Sequence, residues 1–203
     1  MLNDILNIAN KYAEGAKQVQ ERRAQWLKKH VELKEHLKEI AGYLNSNSTY
    51  KQGFFIDTLH AYNEDMNGTC AEMPSLTFRS GEMPMLITFH NSIGERKEYI
   101  EEGFSITFNP TITGQVIVLF FPHHSELNIT PPPYSTLVVI DQPGQLTMEI
   151  ADEIITKGME AAYFSSFTGM SEQQENNEKS EIHPPVQHNP IGFKRYETTQ
   201  KVH

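Results

Sequence analysis

From Leu2 to Leu44, apolar side chains recur at alternating steps of three and four residues. Leu2, Ile5, Ala9, Tyr12, Ala16, Val19, Trp26, Leu33, Leu37, Ile40 and Leu44 hold eleven of the thirteen places in this series, and Arg23 and His30 hold the other two. That spacing gathers one face of an α-helix into a heptad-like seam of the coiled-coil kind. The frequency stands well above the 38% apolar content of the whole chain. At about 1.5 Å per residue such a helix is roughly 64 Å long, more than a small domain needs for its own core. The seam must be covered by the chain's own body or by another chain.

The neighbouring positions bear on which. Leu6, Ala13, Leu27 and Ala41 widen the stripe beyond a two-stranded seam, which suits a helix lying on a sheet or joining a bundle. A parallel pair would set Lys29 against Lys34 and Arg22 against Leu27, giving repulsion or nothing where stable zippers carry opposite charges. Residues 1–44 carry a net charge of +2 and the remainder −11, so the helix also complements its own body. If the helix self-associates, Val19, Trp26, Leu33, Leu37 and Ile40 are the expected anchors. His30, buried in such an interface, would weaken it on acquiring charge in acid.

A chain of 203 residues holds one good domain plus appendages. A single cysteine, Cys70, excludes an intramolecular disulfide. With no leader-like opening, a reducing, cytoplasmic setting is expected. The longest apolar run, Val116 to Phe121, falls far short of the ~18–20 residues a membrane span needs. The acidic body argues against nucleic-acid binding. The basic residues Arg22, Arg23, Lys28, Lys29, Lys34 and Lys38 are diluted by Glu21, Glu32, Glu35 and Glu39.

Asn45-Ser46-Asn47-Ser48 supplies a stop for the long helix. Beyond Gly53 the period changes to two: Leu76 and Phe78, then Phe104, Ile106 and Phe108, alternate with polar neighbours. Denser runs at Met85–Phe89 and Val116–Phe121 suit strands covered on both faces. The short links between these segments predict a meander of about four strands over 74–121. Phe54–Leu59 is a further candidate strand, and Leu137–Ile140 follows the stiff Pro131-Pro132-Pro133 segment. Ala151, Ile154, Ile155, Gly158, Met159, Ala162 and Tyr163 then trace a second helix, with Gly169 as its stop. From Ser171 onward the composition is too polar to offset ordering entropy.

Local chemistry is sparse. His123, His124 and Glu126 sit just past an apolar strand and are the candidates for a hydrolytic site, alone or with a metal shared with His60 or His90. Neither an H-x-H pair nor HExxH spacing occurs, so no metal ligand set is assigned. Cys70 as a nucleophile would need one of these histidines as its base. No phosphate-binding loop or nucleophile elbow is present, and no cofactor is expected. In the polar tail, Ile191, Phe193, Lys194, Arg195 and Tyr196 form an apolar–basic island of the kind that folds on a partner.

The expected fold is α+β. A long helix (1–44) is followed by an α+β domain (50–169), in which an antiparallel sheet of about five strands and a C-terminal helix pack as a two-layer sandwich. A disordered tail (170–203) ends the chain. The expected function is a non-enzymatic interaction or assembly protein, adaptor- or chaperone-like, forming a homo-oligomer or binding another protein. The alternatives are a small hydrolase using His123 or His124 with Glu126, and a small-molecule sensor with a pocket lined by Phe104, Phe108 and Tyr163.

Overall fold

The computed structural model describes residues 2–61, 73–125, 127 and 132–166. Helix α1 runs Leu2–Asn47. Strands follow at Phe54–Ala61 (β1), Met73–Ser80 (β2), Met83–His90 (β3), Arg96–Glu102 (β4), Ser105–Pro110 (β5), Val116–Phe121 (β6), His124–Ser125 (β7) and Ser135–Ile140 (β8). A 3-10 turn at Pro143–Gln145 leads into helix α2, Met148–Ser165. The fold is α+β, with an antiparallel five-stranded sheet in the order β1-β2-β5-β6-β8 and a smaller sheet in the order β3-β4-β7.

Both helices cover one face of the five-stranded sheet. Alternation along each strand sends Leu76 and Phe78, Ile106 and Phe108, and Val116 and Val118 into one core with Trp26, Leu33 and Leu37 of α1 and Ala151, Ile154 and Ile155 of α2. The buried Trp26 indole donates to the Pro74 carbonyl at 2.8 Å, fixing α1 across β2. Gly158 lets α2 lie close on the sheet, because a Cβ there would fall 2.2 Å from Ile106 Cδ1. Thr147 caps α2 by accepting the Ile150 N–H.

Helix α1 continues three residues past the expected stop at Leu44. The reason is its polar end. Ser46 and Asn47 donate back to the carbonyls of Gly42 and Tyr43, each at 2.8 Å. Asn45 accepts the Phe54 N–H at 2.7 Å and donates to the Phe54 carbonyl at 2.9 Å, tying the helix end to the start of β1.

The expected meander is not what forms. β2 pairs with β5, and β3 pairs with β4. The register pairs Arg79 with Ser105 and, four residues farther on each strand, Met83 with Glu101. The two pairings are therefore one long antiparallel ribbon bent between sheets. The bend falls where side chains are excluded: a Cβ on Gly103 would lie 2.1 Å from the Ser80 carbonyl oxygen, and one on Gly81 2.2 Å from that of Gln52. Beyond the bend the ribbon bulges between Pro84 and Thr88. There Leu86 takes a left-handed φ of 59°, and its N–H is received by Glu98 at 2.7 Å. The Met85–Phe89 run is thus not covered on both faces; Met85 is buried, but Leu86 is 87% exposed.

The sheet face away from the helices carries Phe55, Asp57, Thr77, Arg79, Ser105, Thr107, Leu119 and Phe121 in register. Arg79 pairs with Asp57 and lies over the Phe55 ring at 5.0 Å. Thr77 and Thr107 share a hydrogen bond of 3.1 Å.

Candidate functional site

The long seam divides in two. Trp26, Leu33 and Leu37, expected as anchors between chains, are fully buried in the chain's own core. His30 lies there too, its ring 5.7 Å from Trp26 in an edge contact. Val19 and Ile40 are half-buried. The covered half of α1 meets β1, β2, the 3-10 turn and α2, and His36 reaches Asp152 of α2 at 2.7 Å. On the other half, every residue from Leu2 to Gln18 except the half-buried Gly15 is exposed. The body begins at the turn after β5, where Gly114 sits so close to α1 that a Cβ would lie 2.7 Å from that of Arg22.

The exposed half keeps the apolar pattern of the buried half. Leu2 is 80% exposed, Ile5 and Leu6 58%, Ile8 54% and Tyr12 77%. Seventeen residues at about 1.5 Å each project roughly 25 Å of helix beyond the body. These side chains form a contiguous apolar stripe open to solvent.

The histidine pair occupies the junction between the two sheets. His124 lies on β7, in register with Glu102, and its Nε2 is buried without a hydrogen-bond partner among the described residues. His123 precedes β7 and packs edge-on against Phe104, with ring centroids 5.5 Å apart. Its Nδ1 lies 3.2 Å from the Glu102 carbonyl and 3.6 Å from the Glu101 carboxylate. Glu101 is only 3% exposed and accepts the Ser166 hydroxyl at 2.9 Å. Burial lowers the His123 pKa below its ordinary value, against the opposing pull of the Glu101 charge and the Glu102 carbonyl.

Among the described residues the cluster runs in the order Ser166, Glu101, His123. Nucleophilic catalysis needs the serine hydroxyl on the imidazole and the carboxylate behind it. Here the carboxylate is in the middle, and the Ser166 hydroxyl donates to Glu101 instead of to His123. The arrangement ties the end of α2 to β4 and the sheet junction, which is a structural latch. Glu101 and Ser166 are far from His123 in the chain, and no local pattern announced them.

Of the other candidate catalytic and metal-ligating residues, only His60 and His90 fall within the described residues, and they lie on different sheets. Glu126, Cys70 and the tail residues Ile191, Phe193, Lys194, Arg195 and Tyr196 lie outside the described residues, as does Gly169. His60 pairs with Pro74 at the end of β1, and His90 pairs with Arg96 at the far end of the ribbon. Among the described residues no group of three His, Cys, Asp or Glu is placed to hold a metal ion. Phe104 and Phe108 are core residues, while Tyr163 is exposed against Phe164, so the three do not line one pocket. Among the described residues no helix is long and apolar enough to cross a membrane. No protein-family model, curated protein or solved structure matches the chain.

Proposed function

We propose that this chain is a non-enzymatic interaction or assembly protein that self-associates through the projecting half of α1. One observation carries the reading: Leu2, Ile5, Leu6, Ile8 and Tyr12 stand on a single projecting helix, each more than half exposed. Fully burying a Leu or Ile side chain contributes about 1.5–3 kcal/mol. Association costs about 4–15 kcal/mol, against which four such side chains and Tyr12 on each of two copies are set. The single cysteine supports a reducing, cytoplasmic setting for this role.

The test is a pair of substitutions in the full chain, Ile5→Asp with Ile8→Asp. Neither residue touches the core, so the expected result is a fall in solution mass with an unchanged thermal midpoint. An assembly that survives both charges would refute the reading.

A further inference from the structure

We infer that two copies of this chain pair their projecting helices antiparallel, in the register that sets Leu2 against Val19, Ile5 against Ala16 and Ala9 against Tyr12. This rests on the self-association proposed above and gives it a geometry.

The first ground is the order of sizes along the exposed stretch. Its first turns carry the bulky Leu2, Ile5, Leu6 and Ile8; its next turns carry Ala9, Ala13, Gly15 and Ala16, with Tyr12 among them. An antiparallel pair lays the bulky half of one helix on the small half of the other. Every seam layer then combines a large with a smaller side chain, and the flanks do the same, Leu6 beside Ala13 and Ile8 beside Gly15. Gly15 is open on its outer side, since a Cβ there meets nothing within 4 Å. Parallel, in-register pairing would instead set Tyr12 on Tyr12 and Ala9 on Ala9, crowding some layers and leaving voids in others. Close packing disfavours both faults.

The second ground is charge. The whole chain carries −9, so two copies repel over most of their surface. Between Leu2 and Gln18 the acids Asp4 and Glu14 balance the bases Lys11 and Lys17. None of the four stands on the seam or beside it, and this stretch meets its copy without net repulsion.

Length is the third ground. In this register the partner's Leu2 reaches Val19, and its helix ends where the turn carrying Gly114 abuts Val19, Arg22 and Arg23. The exposed helix of one copy is therefore as long as the stretch its partner covers. The contact uses the same surface on both copies and closes at two, whereas a staggered parallel pairing would leave an open end.

Cysteine cross-linking distinguishes these arrangements. Ile5→Cys and Ala16→Cys are made singly on a Cys70→Ser chain, co-expressed with separable tags, and oxidised mildly alongside each variant alone. The antiparallel register predicts that the mixed pair cross-links at least about tenfold more than either variant alone, because only the mixed pair brings the two thiols within bridging distance. Efficient cross-linking of Ala16→Cys alone would mean parallel pairing and overturn the inference. Light scattering on the reduced proteins separates the two claims. A dimer whose mixed pair does not cross-link overturns the register and leaves self-association standing. A monomer overturns both and gives the helix face to a different partner.

Discussion

His123 sits where its charge is expensive. Desolvation holds its pKa below the ordinary value of about 6.5, although Glu101 and the Glu102 carbonyl pull it up. The unfolded chain thus binds the proton more readily than the folded one. Between the lowered folded value and about 6.5, stability falls as the pH falls; below the folded value this residue takes no more. The thermal midpoint is expected to drop between pH 7.5 and 5.5 by more in the native chain than in His123→Gln. Equal slopes would mean that the imidazole is not desolvated when folded. At the other end of the core, Asn45→Ala removes both hydrogen bonds to the Phe54 backbone. The expected cost is about 1–3 kcal/mol in a denaturant melt. Neither role could be read locally: Asn45 looks like one of four polar residues after a helix, and the partners of His123 are Glu101 and Glu102 of β4 and Phe104 just beyond it.

Elements were legible wherever a period was strong. The steps of three and four over Leu2–Leu44 and over Ala151–Tyr163 gave both helices, alternation gave β2 and β5 within a few residues, and short apolar segments marked β1 and β8. Periodicity identifies an apolar face but not what covers it. Trp26 and Ile5 lie on the same seam, yet one is in the core and the other in water. The bent ribbon was hidden for a related reason. Ser80-Gly81-Glu82 reads as a turn between neighbouring strands, but Gly81 is needed because the Gln52 backbone crowds it from outside the ribbon, and Gly103 because Ser80 crowds it from the facing strand. Gly103→Ala should therefore cost about 1–3 kcal/mol through that clash, with Gly42→Ala as its opposite. Gly42 is an exposed helical residue with open space around its Cα, so alanine there should raise stability by about 0.5–1 kcal/mol. Urea melts of the two variants moving in the same direction would contradict this reading of the bend.

At the scale of the whole molecule, the chain is a sandwich with half of one helix left over. The sheet, α2 and the second half of α1 satisfy one another, and the histidine cluster serves that packing as a latch. The apolar spacing of the seam is uniform along α1, but its burial in the chain's own body is not. The structure divides the seam near Val19, and removing all of α1 would remove Trp26, Leu33 and Leu37 from the core. The surplus is the stretch from Leu2 to Gln18, and its proposed role is self-association. Light scattering on a sizing column at about 100 µM, a concentration at which even micromolar association is complete, measures this directly. A mass of twice the 23.2 kDa chain, returning to the single-chain value in Ile5→Asp with Ile8→Asp, is the predicted result. A native chain that runs at its single-chain mass under those conditions would contradict it.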